Sequence, residues 1–183
     1  MTQLMDADIT LRPFRIEDSV QLHEAVQESL KELKPWMSWA TEEYTQLTAR
    51  EYITITRARW EERTLFAFAI TRNNEILGGC TLSSIHPIYH YCNVGYWVRT
   101  SCHGQGIAGR AARLAARFGF EHVGLIRAEI VVAVENKASM RVAEKIGAHY
   151  EGMLLNRMVV GKSIYDAHMY SLLPSDFGLV ARL

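Results

Sequence analysis

Cysteine is scarce in this chain of 183 residues: there are three, Cys80, Cys92 and Cys102. They are odd in number, scattered, and form no C-x-x-C pair, which argues against a disulfide framework and a zinc cluster. Reduced thiols and no metal site are therefore expected, and no Cys/His arrangement singles out Cys102 as a nucleophile. Proline is also rare. The four residues Pro13, Pro35, Pro87 and Pro174 each lie near an expected element boundary. With no repeat, no low-complexity tract and no Gly/Ser/Pro linker, residues 1–183 read as a single domain. No apolar run approaches the roughly 20 residues that cross a bilayer, so no membrane association is expected. Met1–Asp8 lacks the basic segment and apolar run of a secretory signal, and a cytoplasmic location is expected. Neither charge sign dominates: 20 basic residues balance 20 acidic ones. That balance removes the usual electrostatic prompt for nucleic acid.

What is present is an apolar fraction of 49%, enough for a full core at this length. Ile9–Arg12 alternates as a short strand stopped by Pro13. Ile16–Leu33 reads as a helix with Leu22, Val26 and Leu30 on one face. A second helix is expected from Thr48, where Thr48 and Glu51 have capping-box spacing. Leu65–Thr71 and Glu75–Ile85 form a hairpin across Arg72-Asn73-Asn74, with a bulge expected at Gly78-Gly79. A further strand spans Tyr91–Arg99, and a helix runs from the glycine-rich segment to about His122. Arg127–Val134 reads as a buried strand. Asn136–Ile146 is a helix with Asn136 as N-cap and Gly147 as its stop. A last hairpin, His149–Val160 with Ser163–Leu172, turns at Gly161-Lys162. The order β-α-α-β-β-β-α-β-α-β-β predicts an α/β (α+β) domain. Its sheet is mixed, mostly antiparallel, of about seven strands, flanked on both faces by about four helices.

The segment His103-Gly104-Gln105-Gly106-Ile107-Ala108-Gly109 contains a literal G-x-G-x-x-G. A dinucleotide fingerprint belongs to a first β-α-β unit with an acidic residue at the end of the next strand. Here several strands precede the motif, and Glu129, at about the right distance, falls within a strand. The physical content is independent of that reading. Glycines allow turns and close backbone approach, and a helix that starts there presents N–H groups and partial positive charge to a pyrophosphate.

Four spaced segments extend the pattern: Gly95-Tyr96-Trp97-Val98, the glycine segment, Val134-Glu135-Asn136-Lys137-Ala138-Ser139, and Glu144-Lys145-Ile146-Gly147-Ala148 with Glu151-Gly152. In this order they resemble the GCN5-related N-acetyltransferase superfamily, and within it the branch that acetylates N-termini of ribosomal proteins. The resemblance implies a splay between the fourth and fifth strands. There the pantetheine of acetyl-CoA pairs with the strand end Trp97-Val98-Arg99. It also implies that His103, Gly104, Gln105, Gly106, Ile107, Ala108 and Gly109 bind the cofactor phosphates, with Arg110 near enough to help. His103 departs from the family's usual Gln or Arg. Asn136 is implied to face the pantetheine, and Ser139 to hydrogen-bond the sulfur and protonate the leaving thiolate.

The chemistry so implied is direct attack of an amine on the thioester, with backbone N–H near Val98 holding the carbonyl oxygen. An α-amine, with a pKa of about 7.7–8.0, is partly neutral near pH 7, which favours a protein N-terminus. Many relatives carry Glu where this chain has Asn93. Asn93 is therefore expected to hold a water that accepts the proton, with His86, His90 and Asp166 as other candidates. The acceptor channel is expected between Trp36-Met37-Ser38-Trp39 and the last hairpin, with Trp36, Trp39 and Asp166 contacting the acceptor and Glu42 and Glu43 attracting a cation. The expected partners are acetyl-CoA and a peptide N-terminus or small amine, with a homodimer as the one assembly considered. A small amine or antibiotic as acceptor, and a coenzyme A sensor without turnover, are the other readings.

Overall fold

A computed structural model describes residues 3–181. The strands are β1 (Leu4–Asp6), β2 (Ile9–Pro13), β3 (Phe66–Arg72), β4 (Glu75–Ser83), β5 (Tyr91–Val98), β6 (Arg127–Ala133), β7 (His149–Val160) and β8 (Ser163–Leu172). The helices are α1 (Ser19–Leu33), α2 (Gln46–Glu61), α3 (Ile107–Phe118) and α4 (Lys137–Lys145). The eight strands form one sheet in the order β1-β2-β3-β4-β5-β6-β8-β7. Every pairing is antiparallel except β5 with β6. The mixed sheet expected from the sequence is thus present, with one strand more than expected. The addition is β1, three residues long, too short to display a period.

Two local expectations are corrected. The cap of α2 is Thr45, whose hydroxyl accepts the Thr48 N–H at 3.2 Å while the Thr45 N–H donates to Thr48 Oγ1 at 3.3 Å. The helix therefore starts three residues earlier than the Thr48–Glu51 spacing suggests. The expected start of α1 at Ile16 is a 3-10 turn, Ile16–Asp18. It is fixed by a buried ion pair, Arg12 Nη1 to Asp18 Oδ2 at 2.6 Å. Asp18 also accepts the Arg15 N–H at 2.7 Å, so the regular helix begins at Ser19.

The central strand β3 explains the layering. Phe66, Phe68 and Ile70 point to the face covered by α3 and α4, whereas Ala67 and Ala69 point to the face of α1 and α2. Large and small residues alternate at the period of a strand, so α1 and α2 lie close to the sheet. On the other face α3 contributes a stripe of small residues, Ala111, Ala112, Ala115 and Ala116, all fully buried. Gly109 continues that close approach: a Cβ there would come within 2.7 Å of Ile146 Cγ2 beside α4. The expected bulge lies in β4, where the register with β3 shifts between Ile70 and Thr71. At Gly78 a Cβ would stand 2.1 Å from the Trp97 carbonyl oxygen, so only glycine lets β4 approach the end of β5 this closely.

Candidate active site

Strands β5 and β6 run side by side only from Tyr91–Asn93 to Arg127–Glu129. Beyond the Asn93–Glu129 rung they part. Val94–Val98 keeps β4 as a partner, and Ile130–Ala133 keeps β8, but the two strands no longer meet. The result is a wedge whose inner walls carry backbone donors and acceptors without a strand across from them. Such groups need partners, so the wedge suits an extended, amide-bearing arm laid in as a substitute strand.

At the open end of the wedge β5 passes through a 3-10 turn, Thr100–Cys102, into the glycine segment. Gly104 and Gly106 have φ of 77° and 72°, and Gly106 is the N-cap of α3. In this left-handed region any other residue is strained. No atom lies within 4 Å of where a Cβ would stand at either glycine, so the glycines serve backbone shape and leave the space before the helix open. The first N–H groups of a helix lack intrahelical acceptors, and here they border that space. Ile107 itself is buried, so only its backbone is available to a ligand. Gly109 packs toward α4, away from the open side.

The segment is held from three directions. His103 Nε2 lies 2.9 Å from the Val98 carbonyl oxygen, tying the loop to the strand end. Gln105 Oε1 accepts from Arg72 Nη1 at 3.0 Å. Asp8 then bridges Arg72 at 2.5 Å and Arg110 at 2.7 Å, and the hydrogen bond from Arg110 holds the Asp8 carboxyl below its ordinary range. On the α1 side, Ser29 Oγ accepts the Thr100 N–H at 3.0 Å and Glu28 the Ser101 N–H at 2.8 Å. Arg113 and Arg117, which follow Arg110 on α3, are committed elsewhere. Arg113 donates to the carbonyls of Ile146 and Asp176, and Arg117 pairs with Glu121.

Across the wedge, Asn136 Oδ1 accepts the Ser139 N–H at 3.1 Å and caps α4. The Ser139 hydroxyl lies 3.1 Å from the Tyr96 hydroxyl. Tyr96 stands on β5 and Ser139 on α4, so this bond spans the wedge. Burial pushes the Tyr96 phenol up to about 12, against the opposing effect of its bond to Ser139. It is a hydroxyl that keeps its proton at neutral pH and can supply or orient the proton on Ser139. Burial likewise pushes the Cys80 and Cys92 thiols up, consistent with inert core cysteines.

The opposite face of the sheet carries the aromatic residues. Trp39 stacks at a tilt on Trp97 of β5 at 6.0 Å, and Trp36 meets Tyr165 of β8 at 6.1 Å. These contacts bring the α1–α2 connection against β5 and the last hairpin. Asp166 has a different immediate role: its carboxylate accepts the Asn156 N–H at 2.8 Å and braces the irregular middle of β7. His86 is likewise engaged in its own turn, where Nδ1 accepts the N–H groups of Ile88 and Tyr89. His90 sits before β5 at its non-splayed end. Glu42 pairs with Lys34 at 2.9 Å on the surface. Sequence reasoning missed Tyr96 as a partner of Ser139, Arg72 and Asp8 as supports of the loop, and Tyr165 as a wall of the aromatic mouth.

A splayed β5–β6 pair with a glycine-headed helix at its open end is the architecture of an acyl-transferring enzyme of the N-acetyltransferase class. The sequence agrees: residues 8–149 match the acetyltransferase (GNAT) domain model, and the chain belongs to that family. Among curated relatives, YdaF of Bacillus subtilis (strain 168), provisionally named a ribosomal N-acetyltransferase, is 26% identical over 170 residues, covering 92% of this chain and 93% of that protein. The ribosomal-protein-serine acetyltransferase of Escherichia coli (strain K12) is 24% identical over 172 residues, covering 86% of this chain and 94% of the relative. Among solved structures, Mycobacterium smegmatis RimJ in complex with CoA-disulfide shares the fold with a TM-score of 0.85, at 23% identity, over 98% of this chain and 90% of that one. No helix among the described residues is long and apolar enough to cross a membrane.

Proposed function

We propose that this N-acetyltransferase moves the acetyl group of acetyl-CoA to the N-terminal α-amine of a protein, a ribosomal protein being the class its relatives' names suggest. The observation that carries the reading is the wedge and what borders it. At its open end stands the glycine-headed N-terminus of α3, which suits a pyrophosphate. On one face stand Trp36, Trp39, Trp97 and Tyr165, which suit a chain end that carries side chains. In this reading Gly104–Ala108 receive the phosphates by backbone N–H, with Ile107 and Gly109 setting the position of α3. Free backbone groups of Val94–Val98, together with Asn136, receive the pantetheine amides.

In this reading the direction of the arm orders the reacting groups. From Val98 to Asn93 the strand advances about 17 Å at ~3.3 Å per residue. An arm anchored at the loop runs toward the closed vertex, passing Tyr96 and Ser139 before it ends. Ser139 is thus placed to give its proton to the thiolate, and Tyr96 to replenish it. In this reading the thioester carbonyl lies along the free N–H groups of β5, between Val94 and the Val98 N–H expected from sequence. Backbone donors there would stabilise the developing oxyanion.

Asn93, where the family resemblance implies a glutamate in many members, favours a second reading: a coenzyme A sensor without turnover. Thiol release from acetyl-CoA, measured against peptides with free N-termini, N-blocked peptides containing lysine, and polyamines, separates the readings. The proposal expects release with free N-termini and little with the N-blocked set. Tight acetyl-CoA binding with no release for any amine would establish the sensor instead.

A further inference from the structure

The wedge closes on a carboxylate. Asn93 and Glu129 are direct partners on the last parallel rung, so their side chains leave the sheet on the same face. That face is not the one packed by α3 and α4, because the flanking residues Cys92, Val94, Ala128 and Ile130 fill the core there. It is the face of Trp97, Trp39 and Trp36. Along β8 the same face carries Tyr165 and Ser171, the latter paired with Glu129. The Glu129 side chain is 16% exposed, so it is neither sealed in the core nor free on the surface.

We propose that Glu129 is the group that takes the proton from the attacking amine, supplying from β6 the carboxylate that β5 lacks at Asn93; this rests on the acetyl transfer proposed above. Its neighbours hold it in place. Arg127 Nε donates to Glu129 Oε1 at 2.9 Å, while the two Nη atoms of Arg127 grip Glu151. Glu151 is further bound by Ser171 Oγ at 2.6 Å. Arg127, Glu151 and the buried thiol of Cys92 are thus the titratable groups gathered around Glu129. Among the described residues Glu129 Oε2 has no protein partner, while both oxygens of Glu151 are engaged. Asn93, across the rung, can hold the amine or one bridging water with its amide.

The step balances as follows. The incoming R–NH3+ gives one proton to the Glu129 carboxylate, directly or through the water. The freed lone pair forms the C–N bond to the thioester carbonyl carbon. The C–S bond breaks, nitrogen gives one of its two remaining protons to solvent, and the thiolate takes the Ser139 Oγ proton, which is restored from solvent through Tyr96. Glu129 then passes its proton to solvent. The net change is R–NH3+ plus thioester to acetamide, thiol and one proton.

The test compares wild type, Glu129→Gln and the double variant Asn93→Glu/Glu129→Gln on two acceptors, at saturating acetyl-CoA. One acceptor is a peptide α-amine, and the other is an acyl hydrazide, whose nitrogen is already neutral at the assay pH. Glu129→Gln is expected to lower kcat for the peptide by on the order of 10²-fold, the usual worth of a positioned base. The hydrazide should lose far less, with the KM for acetyl-CoA and the Tm unchanged. Moving the carboxylate back across the rung in the double variant is expected to restore a large part of the peptide rate. Unchanged peptide turnover in Glu129→Gln overturns the proposal. So does an equal loss on both acceptors without recovery in the double variant, which would mark Glu129 as a support for Arg127. A wild-type protein that releases no thiol with either acceptor defeats the acetyl-transfer reading itself, and this one with it.

Discussion

The smallest unit on which the account depends is the hydroxyl pair of Ser139 and Tyr96, 3.1 Å apart across the wedge. Removing a general acid typically costs 10²–10⁴-fold when the leaving group needs it. A thiolate needs less help than most, so Ser139→Ala is expected to lower kcat by about tenfold to a hundredfold, with the KM for acetyl-CoA nearly unchanged. Tyr96→Phe should show a smaller loss of the same kind. A thiol-release assay that finds Ser139→Ala at wild-type rate would reduce Ser139 to a helix-start residue. Gly106 makes a different prediction. Its φ of 72° costs a non-glycine residue about 1–3 kcal/mol. Gly106→Val should therefore weaken acetyl-CoA binding in calorimetry by at least tenfold, and an unchanged Kd would remove the phosphate loop from the account. The place of Ser139 in the first turn of α4 was legible because it lies three residues after the Asn136 cap, whereas its proposed role came only from the family resemblance. Tyr96 was legible as a strand residue but not as its partner, because the two are 43 residues apart and only the splay brings them together. Glu129 drew notice merely for its distance from the glycines. Its neighbour Asn93 belongs to another strand, and register between parallel strands leaves no local trace in sequence.

At the scale of elements, caps, turns and periods read well, and pairings did not. Asn136 as the cap of α4 and Gly147 as its stop follow from local chemistry and are present as expected. The start of α2 falls at Thr45 rather than Thr48 because both threonines carry a capping hydroxyl with a side-chain acceptor three residues on, Thr48 or Glu51, and only the backbone decides. Strand β1 was missed because three residues carry no periodicity. The network of Arg127, Glu151 and Ser171 joins β6, β7 and β8 and was likewise invisible before the sheet order was known. It carries a pH prediction. The hydrogen bond from Arg127, aided by Ser171, lowers the Glu151 carboxyl from 4.5 to about 2. A depressed carboxyl stabilises the fold fully above its unfolded value, and that stabilisation fades as pH falls through the folded value. Stability should therefore drop between about pH 4.5 and pH 2, and Glu151→Gln should flatten the curve in that window. Denaturant unfolding at a series of pH values checks this; identical slopes for the two proteins would contradict it. The aromatic mouth makes a kinetic prediction: Trp36→Ala opens the contact with Tyr165 and should raise the KM for a peptide several-fold without changing the KM for acetyl-CoA.

The whole molecule divides its labour between the two faces of one sheet. The α3–α4 face carries the glycine segment proposed to receive the phosphates, the Asn136 cap and the Ser139–Tyr96 pair. The α1–α2 face carries the tryptophans, which meet Trp97 of β5 and Tyr165 of β8, where the proposal puts the acceptor. The two meet only in the wedge between β5 and β6, so neither face alone forms the site. The division follows from the residues of β3, β4 and β5. Large side chains build the core on one face, while alanines and glycines on the other admit close helices and the Trp97 ring, whose Nε1 would stand 2.9 Å from a Cβ at Gly79. The most direct test is a mass measurement of products after incubation with acetyl-CoA and a mixture of peptides, each with one free α-amine and one lysine. The account predicts a single added acetyl group, located by fragmentation on the α-amine, in wild type and not in Gly106→Val. Acetylation of lysine side chains alone, or no mass change while acetyl-CoA binds tightly, would contradict it.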